Sequence, residues 1–89
     1  MSKYQYKILK ADGSVEGFVT EKLSLESLQR YVGGFIQLLP RPEDFGIKTT
    51  GDVYVNEDGK LLNLPPNPLL APSSYDVILG NVLIEEKVA

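Results

Sequence analysis

The sequence predicts an α+β domain: a mixed, largely antiparallel sheet of about four to six strands, with one main helix packed on one face. Three observations predict it. Two alternating runs meet at Asp12-Gly13, one well-capped helical stripe follows at about 24–32, and the remaining chain holds short apolar runs without a second helical stripe. That order argues against repeated βαβ units.

The first run, residues 3–10, sets Tyr4, Tyr6 and Ile8 on one face and Lys3, Gln5 and Lys7 on the other, the period-2 signature of a half-buried strand. Asp12-Gly13 then forms a hairpin turn, because glycine tolerates positive φ. Residues 15–20 return as its partner, carrying Phe18 and Val19. Ser24 is the natural N-cap of the helix, since its hydroxyl can accept from a free first-turn amide. Leu23 and Leu28 stand where a hydrophobic staple needs them. Glu26 suits the positive end of the helix dipole. Leu25, Leu28 and Val32 form the apolar stripe, with Tyr31 at its edge, and Gly33 supplies a left-handed stop.

Residues 35–39 read as a short buried strand ended by Pro40 and Pro42, neither of which can donate to a ladder. A loop over 40–51 leads to a strand at 52–56. Glu57-Asp58-Gly59 turns the chain, and 60–64 is expected to pair back as a hairpin partner. Leu64-Pro65-Pro66-Asn67-Pro68 excludes a regular ladder, and Asn67-Pro68 is placed to cap a single helical turn through Ala71, with Pro72-Ser73-Ser74 ending it. Residues 75–79 and 82–84 are strand-like, separated by a turn or bulge at Gly80-Asn81. Gly13, Gly33, Gly34, Gly59 and Gly80 are the expected structural turn residues. The chain, residues 1–89, reads as a single domain.

Composition narrows the function classes. The chain is 43% hydrophobic and 24% charged, ordinary for a globular domain, and stability of roughly 4–13 kcal/mol is expected at this length. It contains no cysteine and no histidine. Disulfides, thiolate ligands and serine–histidine or cysteine–histidine nucleophile pairs are therefore excluded. No catalytic residue is singled out, and no phosphate-binding glycine motif occurs. The acids around Asp52, Glu57 and Asp58 hint at calcium but lack the spacing of a calcium loop, and solvated turn acids account for them. No metal or cofactor is expected.

A net charge of −3 and a pI near 4.8 give no general attraction to nucleic acid. Lys3, Lys7 and Lys10 read as a solvated strand face. The N-terminus is too polar for a signal peptide, and apolar runs of about five residues fall far short of a bilayer span. A cytoplasmic location without membrane contact is the expectation.

Pro65, Pro66, Asn67 and Pro68 are the candidate partner-binding residues. Three prolines in four positions stiffen the segment, so presenting Asn67 and its flanking leucines loses little entropy. On this reading Pro66 and Asn67 are exposed, while Leu64 and at least one of Leu69 and Leu70 are buried. The competing reading is a proline-pinned crossover with those leucines in the core.

Three segments resemble, in order, a small family of uncharacterised proteins found mainly in bacteriophages, large DNA viruses and bacteria. They are Val32-Gly33-Gly34-Phe35-Ile36-Gln37, then Asn56 to Leu61 with Leu64 to Leu69, then Asp76 to Val82. The resemblance implies an accessory protein acting in the cytoplasm of an infected cell, and it places Gly33, Gly34, Asn56, Gly59, Asn67 and the prolines in the family pattern. Phe35 and Gln37 depart from it, standing where tyrosine and glutamate are more usual.

The combined expectation is a non-enzymatic binding module with a protein partner, with homo-oligomerisation left open. Two alternatives stand beside it. One is a small-ligand, nucleotide-type binder using backbone amides near Gly33-Gly34 or Gly80-Asn81. The other is an enzyme built on carboxylates or tyrosine.

Overall fold

The computed structural model describes residues 2–71 and 77–88. Five strands form one sheet in the order β2-β1-β5-β4-β3, with every neighbouring pair antiparallel. They are β1 (Tyr4–Leu9), β2 (Val15–Thr20), β3 (Ile36–Leu38), β4 (Asp52–Asn56) and β5 (Val82–Lys87), with α1 (Leu25–Val32) between β2 and β3. The α+β class and its helix are thus present as expected.

Local chemistry explains the N-terminal half. Gly13 takes φ 91° and donates its amide to the Lys10 carbonyl, closing the β1–β2 turn. The Ser24 hydroxyl accepts from the Ser27 amide at 3.2 Å, capping α1. Gly33 ends the helix at φ 83°, a left-handed conformation that any side chain would strain.

The sheet is covered on both faces. On the helix side Tyr6, Ile8, Leu28, Val32 and Leu83 make one buried cluster. On the other side Phe45, Ile47, Val53, Val55, Ile78, Val82 and Ile84 make a second, covered by irregular chain rather than by a helix. Central β5 therefore buries consecutive residues, Val82, Leu83 and Ile84, which explains its unbroken apolar run.

The structure corrects several expectations. Residues 60–64 do not pair as a strand. The Leu62 amide bonds to the Asp58 carbonyl, and Asn63 takes φ 55°, so the chain coils and reverses on itself. Residues 35–39 are not buried, because β3 lies at the sheet's edge and leaves Phe35 65% and Leu38 55% exposed. Leu25 is 60% exposed, so the buried stripe narrows to Leu28 and Val32. The loop over 40–51 holds a 3-10 turn, Pro42–Phe45, that inserts Phe45 into the second core. After Asn67 the chain makes an isolated turn, the Leu70 amide reaching the Asn67 carbonyl, and the Asn67 side chain accepts from the Leu69 amide at 3.0 Å. Leu79 contributes only a bridge to Pro66, while the expected stop at 72–74 and the strand start at 75–76 lie outside the described residues.

Candidate functional site

The proline-rich segment is held in place by its own asparagine. The Asn67 side-chain amide donates to the Leu9 carbonyl at 2.8 Å and to the Gly80 carbonyl at 2.9 Å. Its backbone amide donates to the Ile78 carbonyl at 2.9 Å. Asn67 is only 3% exposed. The exposure expected of it is therefore wrong: the side chain is buried, and the carbonyls it bonds meet the hydrogen-bonding need of its amide. Pro65, Pro66 and Pro68 are exposed around it, Leu64 and Leu70 are half-buried, and Leu69 is exposed. An Asn67→Arg change, which an exposed position would tolerate, now carries a structural penalty.

Two further asparagines act in the same way. Asn56 donates to the Val32 carbonyl at 3.1 Å and accepts from the Asp58 amide at 2.8 Å, tying the end of α1 to β4 and its turn. A side chain on Gly34 would begin 3.0 Å from the Asn56 amide nitrogen, so it would press on the group that bonds the Val32 carbonyl. Asn81 accepts from the Ala11 amide and donates to the Tyr31 carbonyl.

These bonds bear on the amides considered for a small anionic ligand. The Gly33 and Gly34 amides both donate to the Gln29 carbonyl, and the Gly80 amide donates to the Pro65 carbonyl. All are spent on the fold.

Sequence reasoning missed a buried charge, the one found among the described residues. Glu85 lies on central β5 and is 3% exposed. The Tyr6 hydroxyl donates to it at 2.6 Å and the Lys22 ammonium reaches it at 3.0 Å, with the Tyr54 hydroxyl at 3.5 Å. Burial first, and then the bond to Glu85, push the Tyr6 hydroxyl up to about 12. The bonded carboxylate likewise holds the Lys22 ammonium above its usual value. Burial, helped by the Glu85 charge, raises Tyr54. The Tyr6 oxygen also accepts from the Leu23 amide at 2.9 Å. This cluster locks the segment before α1 to the sheet. Raised tyrosine and lysine pKa values disfavour the deprotonated forms that nucleophilic or general-base chemistry requires. The Tyr–Glu–Lys grouping had no local sequence signal, since Tyr6 and Glu85 are 79 residues apart.

The open feature of the surface lies on the opposite face of the sheet. A cleft of about 760 Å³ runs between the β3–Phe45 segment and the turn after β4. Val55, Phe45 and Ile78 are its buried apolar residues, and Leu61 and Val77 stand on its margin at 84% and 44% exposure. Arg41, also on the lining, holds φ 54°, a left-handed conformation uncommon outside glycine, and pairs with Asp44 at 3.3 Å. Glu57 and Asp58 border the cleft without an ion-pair partner among the described residues.

Fold and site together define a small antiparallel α+β domain, stapled by asparagine side chains and carrying an open, partly apolar cleft. The chain belongs to the family described as Domain of unknown function (DUF3846), whose pattern matches residues 6–87. No curated protein and no solved structure matches it.

Proposed function

We propose that this protein is a non-enzymatic binding module that engages a protein partner at the cleft between β3 and the turn after β4. The observation that carries the reading is Leu61: a leucine at 84% exposure on the margin of a cleft with an apolar floor. A lone exposed leucine is ordinary, but one that adjoins a concave apolar floor extends it into a contiguous apolar surface, which is the kind that marks interaction sites. Two features support the same place. Arg41 keeps a strained backbone on the lining, a cost of about 1–2 kcal/mol that clusters at functional positions. Glu57 and Asp58 add negative charge at the margin, in a chain of net charge −3.

The occupant that fits is a protein segment presenting an apolar side chain flanked by a lysine or arginine. The acids would steer and orient it, and burial of the apolar group would supply the affinity. The resemblance of three motifs to phage and viral sequences supports an accessory role in an infected cell's cytoplasm, directed at a host or viral protein. The nucleotide-type reading draws no support from the Gly33, Gly34 and Gly80 amides, which are bonded within the fold, and the Tyr6–Glu85–Lys22 cluster favours architecture over catalysis.

The test places a photo-crosslinking residue at Leu61 and, separately, introduces Leu61→Asp. A single protein should cross-link at that position and should be lost when excess unlabelled wild-type chain competes. Leu61→Asp should abolish its capture while leaving the melting temperature unchanged. Equal capture by wild type and Leu61→Asp would overturn the proposal.

A further inference from the structure

Among the described residues the outer edge of β3 is unpaired, and it is self-complementary; we propose that it associates with the same edge of a second copy, extending the sheet across a two-fold axis at Gln37. This inference does not rest on the cleft.

The ladder between β3 and β4 fixes which backbone groups point outward. The Glu57 amide donates to the Phe35 carbonyl, and the Leu39 amide donates to the Val53 carbonyl, each at 2.8 Å. With Gln37 opposite Val55, residues 35, 37 and 39 turn their backbone groups toward β4. Alternation then turns the amides and carbonyls of Ile36 and Leu38 away from β4. No described strand lies on that side, because β3 ends the sheet.

A second copy running antiparallel about Gln37 meets all of these groups. Ile36 falls opposite Leu38 of the second copy and exchanges both backbone bonds with it, and the reverse pair does the same. Their side chains share one face, so each cross-strand pair is apolar on apolar. Leu38, 55% exposed in the single chain, gains cover.

The ends of the edge also close. Phe35 falls opposite Leu39, and the next pair placed to exchange backbone bonds is Gly34 and Pro40. The Gly34 amide already donates to Gln29, and proline has no amide, so the pairing leaves no donor stranded. Residues 35–39, Phe-Ile-Gln-Leu-Leu, carry no charge, so no like charges meet across the axis. Edge strands that stay alone are usually blunted by shortness, proline or charge; β3 is short and followed by Pro40, but it carries no charge to repel a second copy. At the other end of the sheet, β2 carries Glu16, bound to Lys10 at 3.2 Å.

The absence of cysteine makes a direct test available. Gln37 would form a non-hydrogen-bonded pair with its own copy, where Cα atoms approach to about 4.5 Å, within disulfide reach. Gln37→Cys should therefore oxidise to a covalent dimer much faster than Glu16→Cys, placed on the opposite edge strand. Sedimentation of wild type should show concentration-dependent growth from the 9.8 kDa monomer. Leu38→Pro removes an outward amide and spares the β4 ladder, so self-association should weaken about tenfold or more. Leu38→Lys should act likewise by charging the edge. Circular dichroism checks that each variant folds, and Gln37→Cys decides alone where Leu38→Pro does not. A wild type that stays monomeric at all soluble concentrations would overturn the proposal. So would equal oxidation rates for the two cysteine variants, or undiminished association of Leu38→Lys. Leu61→Asp should leave self-association intact, which separates this inference from the cleft reading.

Discussion

The side chain of Asn67 donates to the backbone carbonyl of Leu9, 58 residues away, at 2.8 Å. That bond fastens the proline-rich crossover to the end of β1, and the same amide group bonds the Gly80 carbonyl just before β5. Asn67→Ala would remove both side-chain bonds, and the one to the Gly80 carbonyl is buried. A loss on the order of 1–3 kcal/mol is expected by chemical denaturation. Asn67→Asp should be comparably destabilising, since a carboxylate cannot donate. A loss below about 0.5 kcal/mol, the usual range for a surface change, would mean the bonds are not formed.

Leu28 and Leu25 separate the two sides of α1. Leu28 is buried against Tyr6, Ile8 and Leu83, so Leu28→Ala should cost about 2–5 kcal/mol. Leu25 faces solvent, and its replacement by alanine should change stability by no more than about 0.5 kcal/mol. Equal costs would show that the helix is rotated.

Tyr6 predicts a specific alkaline instability. Its hydroxyl is pushed up from 10.0 to about 12 in the folded chain, so the native state holds this proton more tightly than the unfolded state. The contribution is therefore complete below about pH 10 and is lost as pH rises towards about 12. Denaturation midpoints measured across that range should fall, and Tyr6→Phe should remove part of the fall. In a native titration followed by tyrosinate absorbance, Tyr6→Phe should delete a late-ionising tyrosine. Deletion of an early one would contradict the burial argument.

Gly51 should tolerate no side chain. A Cβ there would overlap the Glu85 carbonyl of central β5, a contact with backbone that cannot swing aside. Gly51→Ala is expected to cost about 3 kcal/mol or more, at the upper end for overpacking. Gly17→Ala is the control, because its Cβ would meet the Tyr6 carbonyl at an ordinary 3.6 Å. Thermal melts of the two variants should differ plainly. Similar melts would mean that β5 yields at Gly51.

Gly33 carries a backbone demand rather than a packing one. At φ 83° a β-branched side chain is strained, so Gly33→Val should destabilise by about 1–2 kcal/mol. Gly33→Asn should recover much of that, because asparagine tolerates the left-handed region. Identical denaturation curves for the two variants would remove the conformational explanation.

Local physics made much of the fold legible in the sequence. Asp12-Gly13 specified a hairpin, Ser24 and Gly33 bracketed the helix, and alternation around Tyr6 and Ile8 identified the buried face of β1. Each signal depends on residues within a turn or two of one another. The candidate sites were less legible. Proline stiffness drew attention to 65–68, but nothing local revealed that the carbonyls of Leu9 and Gly80 would converge on Asn67. Tertiary structure alone decided that β5 enters between β1 and β4, joining two hairpins into one sheet. Once it does, Glu85 is carried into the interior, where only the approach of Tyr6 and Lys22 makes its charge tolerable. The same insertion brings the Glu85 carbonyl against Gly51 and leaves β3 at the edge rather than in the core. Strand order depends on contacts between residues far apart in the chain, and alternation shows which face a residue takes but not which strand will lie beside it.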